Sequence, residues 1–435
     1  MPTVSFRTFG CKLNQAETAM MAGQFVRLGY KVVGSDASAD VAVIHTCTVT
    51  GRSDAKCRQA VHHALGRNPD ATVIVAGCYS QVAAEELSRI TGVDYVLGTE
   101  DKFRLFDTFP GPGKMRPPKI VVSPVSKVCE SPAYESGSFE GHTRAFLKIQ
   151  GGCSRACAYC IVPAARGPSR SEAPEDVVRN AETLVRNGFH EIVVTGTHLG
   201  DYGRERSGGP RLPELLERLL EIRGIERLRL SSLDPDEVTE DLIRTVAKHD
   251  RICRHFHISL QSGSDPVLNA MNRLYSTDEF REIVDRLVKL VKTPGLGTDV
   301  ITGFPGETEG HFQETFRFIE SLPFSYLHVF PFSPRRGTPA SVMPDQVPPA
   351  VRIDRAHVLR EAGARKRRAF AERWIGETVP VLLESRNEDG SMAGFTSEYV
   401  RVEVPFDTTL CNRIVPVRAE GLTERGVRGT VVMGG

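Results

Sequence analysis

Cys153, Cys157 and Cys160 fall within the run Gly151-Gly-Cys-Ser-Arg-Ala-Cys-Ala-Tyr-Cys160. Thiolates so placed suit a four-iron cube, and a set of three leaves one iron without a protein ligand. That open iron is where chemistry can take place. A structural zinc site would need a fourth ligand to close its tetrahedron, and the nearest histidines, His142 and His190, stand at no recognised zinc spacing. A disulfide is not expected, because the chain starts Met1-Pro-Thr-Val-Ser without a charged segment followed by an apolar one.

A second set of cysteines is marked by position. Thr3–Thr8 reads as a strand leading to Gly10-Cys11, Asp40–Ile44 as one leading to His45-Thr46-Cys47, and Ala71–Ala76 as one leading to Gly77-Cys78. Helical patterns over Ala16–Leu28 and Ser53–Gly66 separate them, so the order is βαβαβ and the sheet is parallel. All carboxyl ends of such a sheet share one edge, which brings Cys11, Cys47 and Cys78 together. Any one of them read singly is a small buried apolar residue; three at equivalent strand ends are read as ligands of a second cluster with an open iron. Gly10 and Gly77 allow close approach of backbone to that group. Cys57, Cys129, Cys253 and Cys411 lack this placement and are read as packing residues.

The triplet, with Tyr159 before its last cysteine, resembles the radical S-adenosylmethionine enzymes. The resemblance implies that the open iron chelates the methionine moiety of S-adenosylmethionine and that one electron yields a 5′-deoxyadenosyl radical. Together with Thr8-Phe-Gly-Cys-Lys-Leu-Asn-Gln-Ala-Glu17, Thr46-Cys-Thr-Val-Thr50 and Gly77-Cys-Tyr79, the whole chain resembles the methylthiotransferases. Cys-Lys-Leu-Asn-Gln is similar to the branch acting on N6-threonylcarbamoyladenosine at position 37 of tRNA. Val194–Gly203, His328–Ser333 and Arg336-Gly-Thr338 agree with it. One departure is His45, where the family usually carries asparagine.

The elements that must position these residues continue the alternation. Strands are read at Arg144–Gln150, Glu191–Thr195, Arg227–Leu230, His255–Ser259, Gly297–Ile301 and Tyr326–Phe330, with helices such as Pro213–Ile222 and Thr277–Val291 between them. Six βα units make a barrel open on one side. By resemblance, Tyr159, Thr195, Gly196, Gln261, Ser262 and Gly303 are candidate S-adenosylmethionine contacts, with Asp299 and Arg335 as weaker candidates. Ordinary turn chemistry is the alternative for these loops. Arg352–Arg373 holds eight basic residues against three acidic ones on a helical pattern; it is either a solvated face or a phosphate contact. From Glu377 on, short strands with turn signals (Thr378–Leu383, Tyr399–Val404, Arg413–Val417) read as a small β-barrel.

The expected architecture is α/β: an amino-terminal cluster domain (1–108), a proline- and glycine-rich linker (109–141), an open (βα)6 radical barrel (142–373) and a β-barrel resembling the TRAM domain (374–435). A length of 435 residues fits several domains, a net charge of +1 gives no bulk polyanion signal, and no apolar stretch is long enough for a membrane span. A cytoplasmic enzyme is expected. The resemblance implies two 4Fe-4S clusters and S-adenosylmethionine as cofactors, and the insertion of a methylthio group at carbon 2 of the adenine in a tRNA anticodon loop. It also implies an electron donor such as flavodoxin or ferredoxin, and a sulfur donor. A ribosomal-protein aspartate methylthiotransferase and a non-catalytic iron–sulfur carrier are the rival readings.

Overall fold

The computed structural model describes residues 1–48, 51–127, 143–387 and 390–432. Cys129, His142, Asp389 and part of the 109–141 linker lie outside the described residues. In chain order the first domain runs β1 (Thr3–Thr8), α1 (Lys12–Arg27), β2 (Lys31–Val33), β3 (Val41–Thr46), α2 (Gly51–Arg67), β4 (Thr72–Gly77), α3 (Cys78–Val82), α4 (Ala84–Ser88), β5 (Val93–Leu97) and β6 (Lys119–Val121). Its strands form one parallel sheet in the order β2-β1-β3-β4-β5-β6. Strands β3, β4 and β5 are buried at every position, as expected for a parallel sheet covered on both faces. The three-residue β2 and β6 are too short for a period to register, and β6 comes from the stretch read as linker.

The barrel begins with β7 (Arg144–Lys148) and β8 (Gln150–Gly151), then α5 (Val162–Arg166), β9 (Arg170–Ser171), α6 (Pro174–Arg186), β10 (Glu191–Thr195), α7 (Leu212–Leu220), β11 (Arg227–Leu230) and β12 (Ser232–Leu233). It continues with α8 (Glu240–Lys248), β13 (His255–Ile258), α9 (Asp265–Ala270), α10 (Thr277–Leu290), β14 (Gly295–Thr302), α11 (Glu309–Ser321) and β15 (Tyr326–Pro331). The sheets β11-β10-β7 and β12-β13-β14-β15 follow on from one another at Ser231 and curve into an open parallel barrel with edges β7 and β15. Period-2 alternation sends Leu147, Ile192, Val194, Leu228, Leu230, Phe256 and Val300 outward under the helices. The intervening positions, among them Lys148, Glu191, Arg229, His255, His257 and Asp299, face the lumen, so this interior is polar rather than filled with branched apolar side chains.

After the barrel, α12 (Pro349–Glu372) packs on β15. Its basic run is largely structural. Arg352 donates to the carbonyls of Phe332 and Val347, Arg355 pairs with Glu307, and Lys366 donates to the carbonyls of Glu320 and Leu322. The chain ends in β16 (Thr378–Arg386), β17 (Ser391–Phe395), β18 (Arg401–Pro405), β19 (Ile414–Leu422) and β20 (Val427–Val431), closed as β16-β17-β18-β20-β19.

Contacts at both ends of the barrel fix the domains. Helix α1 lies against the edge strand β7, with Ala19 inside the barrel's core, and Arg335, beyond the other edge strand, donates to Thr48 Oγ1 at 2.7 Å. The first domain therefore sits over the open side. At the amino end of the strands, Arg229 donates to the carbonyls of Ser397 and Thr396 at 2.9 and 3.0 Å, and Arg227 to those of Pro380 and Phe395 at 2.7 and 3.0 Å. The β17–β18 loop, with Tyr399 at φ 70° and tilted on His255, thus floors the lumen.

Candidate functional site

Cys11 caps α1, Cys47 follows β3 and Cys78 opens α3, so all three stand at the carboxyl ends of the adjacent strands β1, β3 and β4. Gly10 and Gly77 have φ of 111° and 107°, in the region that favours glycine. A Cβ on Gly10 would lie 2.7 Å from Cys47 Cβ and 3.0 Å from its Sγ, and one on Gly77 would meet the His45 ring at 2.7 Å. His45 is fully buried beneath the cysteines. It bonds Thr18 Oγ1 through Nδ1 at 2.8 Å, and burial holds it neutral, with Lys102 acting in the same sense. Burial also pushes the Cys78 thiol up.

Cys153, Cys157 and Cys160 lie on the loop between β8 and α5. The pairing of β8 with β9 closes the base of this loop, and Cys153 N donates to Gly167 O at 3.0 Å. Gly152 has φ 71°, and a Cβ there would strike the Pro168 carbonyl. Arg273 donates from Nη1 to Cys157 Sγ at 3.3 Å and from Nη2 to Asp234 Oδ1 at 2.7 Å. Burial pushes the Cys160 thiol up to about 12, and Cys153 and Cys157 act on it in the same sense. A cavity of about 590 Å³ beside Cys153 is lined by Pro124, Val125 and Ser126, so the linker does cross next to the cysteine loop. Tyr159 is partly buried against the small apolar cluster that includes Met271, Phe304 and Phe332.

The other sequence candidates take different positions. Gln150, which sequence reading passed over, is fully buried: its Oε1 accepts from Thr197 N and His198 N at 2.8 and 2.9 Å, and its amide donates to Gly151 O and Gly152 O. It ties the Thr195-Gly196-Thr197 loop to the cysteine loop, and Gly196 leaves room for it. Gln261 has φ 64° and bridges to β14 through its backbone. Ser262 turns its hydroxyl to Thr315 on α11, and a Cβ on Gly303, also at positive φ, would run into Arg352. Asp299 faces the lumen, 3.0 Å from His257 Nε2 and 3.3 Å from His328 Nδ1; its carboxyl stays well below the usual range because these imidazoles outweigh burial.

Between the two cysteine sets lies a buried ionic hub that no local pattern announces. Arg166, on the helix that follows the triplet, donates to Glu17 Oε1 and Oε2 at 2.8 and 2.9 Å and to Asn14 Oδ1 at 2.6 Å. Lys102 Nζ donates to Glu17 Oε2 at 2.9 Å, and Asn14 Nδ2 donates to the carbonyls of Phe9 and Thr46 at 2.7 and 3.0 Å. Glu17 is fully buried, yet Arg166 and Lys102 hold its carboxyl well below the ordinary value. Arg166 also lies within the field of Cys78 and Cys11. The same motif that carries Cys11 therefore clamps its own cysteine loops and docks on the barrel. Lys12, the first residue of α1, is half-buried, and burial and the Arg229 and Arg144 guanidiniums push its ammonium down to about 8.

Comparison with known proteins agrees with this geometry. Residues 147–319 match the Radical SAM superfamily, and residues 3–98 match the Uncharacterized protein family UPF0004. The chain is 39% identical to the threonylcarbamoyladenosine tRNA methylthiotransferase MtaB of Bacillus subtilis (strain 168), over 96% of this chain and 94% of that one. It is 39% identical to the protein of the same name from Aquifex aeolicus (strain VF5), over 88% and 93%. The tRNA-2-methylthio-N(6)-dimethylallyladenosine synthase of Moorella thermoacetica is 33% identical over 99% of both chains. In fold, the chain is similar to the radical S-adenosylmethionine methyltransferase TsrM from Kitasatospora setae, with a TM-score of 0.57 at 16% identity over 79% of this chain and 75% of that one. Two cysteine triads on two docked α/β domains, and close relatives aligned along nearly the whole length, show that the chain belongs to the methylthiotransferase family of radical S-adenosylmethionine enzymes.

Proposed function

We propose that this chain inserts a methylthio group at carbon 2 of N6-threonylcarbamoyladenosine at position 37 of tRNA. The observation that carries the reading is the docking of two three-cysteine segments, one on each domain: Arg166, on the helix α5 after the triplet, donates to Asn14 and Glu17 on the helix that Cys11 caps, and α5 also packs against α3, which Cys78 opens. Cys153, Cys157 and Cys160 would hold the radical cluster, and Cys11, Cys47 and Cys78 the auxiliary one. Both sites fit a four-iron cube with an open iron: each offers three thiols beside glycines held at positive φ. When bound, the groups supply reductive cleavage of S-adenosylmethionine and a sulfur that is methylated and transferred.

The chain's own residues do the positioning. Gln150 fixes the loop after β10 against the cysteine loop, and Arg273 directs a cationic donor at the Cys157 sulfur. Asn14 and Arg166 hold the auxiliary loops at a set position relative to the barrel. The polar lumen between them admits a base splayed from an anticodon loop, which costs less than extrusion from a duplex. A cleft of about 250 Å³ where β15 meets the terminal barrel carries Arg367, Arg401 and Arg425, suited to the RNA backbone. An external electron donor such as flavodoxin or ferredoxin, a sulfur donor and a cytoplasmic setting complete the reading; no described helix is long and apolar enough to cross a membrane.

The test is an anaerobic assay of the reconstituted protein with reductant and S-adenosylmethionine on tRNA from cells lacking this gene, followed by mass spectrometry of the nucleosides. The expected product is 2-methylthio-N6-threonylcarbamoyladenosine. Formation of 5′-deoxyadenosine with no changed nucleoside would move the substrate to protein, ribosomal protein first. With intact clusters, the absence of both would favour a non-catalytic carrier.

A further inference from the structure

Strand β15 alternates between two environments. Leu327 and Val329 are buried in the barrel's core under α12, and the intervening Tyr326, His328 and Phe330 face the lumen. Tyr326 is fixed at the floor, its hydroxyl 2.8 Å from His255 Nε2 and 3.0 Å from His257 Nδ1. His328 is held through Nδ1 by Asp299, directly across on β14. Its side chain is nevertheless 54% exposed and Phe330 is 45% exposed, whereas Lys148, Glu191, Arg229 and His257 on other lumen strands are buried. The free space of the lumen therefore lies against the carboxyl half of β15.

Phe330 and His328 present two aromatic rings to that space, with centroids 6.5 Å apart and planes at 73°. A single apolar side chain exposed on an outer surface is ordinary. This pair instead faces a barrel interior, and both of its flanks carry functional groups. On one side His328 also lines the cleft that holds Arg367, Arg401 and Arg425, where no acidic residue stands among the described lining residues. On the other side the chain leads from Phe330 to Arg335, which donates to Thr48 Oγ1 at 2.7 Å, next to Cys47. A flat apolar face between a cationic cleft and a set of thiols fits one unpaired nucleotide, with its phosphate at the arginines and its base on the ring.

We propose that Phe330 is a substrate-binding residue whose ring is the stacking face for the target adenine, with the His328 imidazole bordering that face. This rests on the substrate reading above and deepens it by assigning where in the lumen the base is held. Stacking is indifferent to base identity, so Phe330 sets the position of the adenine and not the choice of its substituent.

The test is a binding cycle with the full-length reconstituted protein and anticodon stem-loops that carry N6-threonylcarbamoyladenosine or an abasic nucleotide at position 37. Phe330→Leu and Phe330→Met keep apolar bulk and remove the ring. Both should weaken binding of the threonylcarbamoyladenosine stem-loop about 30-fold, the scale of one base–aromatic stack, and leave that of the abasic stem-loop unchanged. Phe330→Tyr, which keeps a ring, should bind both as wild type does. Iron content at the wild-type level shows that the cysteine sites are intact in each variant. Unchanged affinity of the ring-free variants for the threonylcarbamoyladenosine stem-loop overturns the proposal. Equal weakening of both stem-loops also overturns it, because the lost contact is then to the RNA backbone or within the protein. A wild type that cleaves S-adenosylmethionine and leaves the stem-loop without a methylthio group overturns the substrate reading, and the proposal with it. Methylthiolated product from wild type beside a flat binding cycle overturns the proposal alone.

Discussion

Each thiol has a separable consequence. Cys157→Ala should abolish 5′-deoxyadenosine formation, whereas Cys47→Ala should leave that cleavage intact and stop methylthiolation. Iron content should fall in either variant from about eight to about four per chain. Methylthiolated product from Cys47→Ala would refute the two-site assignment. Arg273 acts through a neighbour: its guanidinium donates to Cys157 Sγ at 3.3 Å, and donors to a cluster sulfur raise its reduction potential. Arg273→Leu should therefore shift the radical cluster to a more negative potential, and Arg273→Lys should recover part of the difference, as read by a spectroscopic redox titration. An unchanged potential in Arg273→Leu would leave this residue a structural part through Asp234, Tyr275 and Ser259.

At the scale of elements, α1, α5 and the segment carrying Lys102 meet at Glu17. Arg166→Met would strand that carboxylate between Lys102 and the core, and losing one partner of a buried pair costs about 3–5 kcal/mol. The expected result is a lowered unfolding midpoint and faster proteolysis at the junction of the first domain and the barrel. The pH dependence has a definite sign. Glu17 is depressed below its ordinary 4.5 by Arg166 and Lys102 against the opposing effect of burial, so its contribution is full above pH 4.5 and is lost as pH falls below that value. Amide protection factors in α1 and α5, corrected for the intrinsic rate at each pH, should fall on acidification, and less so in Glu17→Gln, which has already lost the group. Equal acid sensitivity in both proteins would assign the effect to other groups.

For the molecule as a whole, the terminal barrel has two roles that an experiment can separate. Its β17–β18 loop floors the lumen through Arg227 and Arg229, while Arg367, Arg401 and Arg425 line a cleft on the side. Arg425→Ala should weaken tRNA binding at all sequences and lower the salt slope of the affinity by about one, as for a single phosphate contact. Arg229→Met should leave the salt slope unchanged, destabilise the docked loop and reduce turnover on a short stem-loop as well as on whole tRNA. The chain's one tryptophan, Trp374, packs on the terminal barrel's core, so its emission reports that module's unfolding. An Arg229→Met protein whose turnover on a short stem-loop matched wild type would make the terminal barrel a handle for RNA alone.

The sequence by itself determined the two cysteine sets, the strands that carry them, the six barrel strands and the terminal β-barrel. These are local features: a spacing of thiols, a period of two in Arg227-Leu-Arg-Leu230 and His255-Phe-His-Ile258, and turn residues between them. Tertiary structure decided whatever depends on distant segments meeting. Arg166 and Glu17 are 149 positions apart, and their contact lies in no window that periodicity can read. Gln150 reads from sequence as the end of a strand, and becomes the tie between the loop after β10 and the cysteine loop only through its contacts with Thr197, His198 and Gly152. The basic run of α12 reads as a charged face, and packing turned Arg352 and Arg355 inward onto carbonyls and Glu307. The direction in which a side chain points is set by what packs against its helix, and that is not written in the helix's own residues.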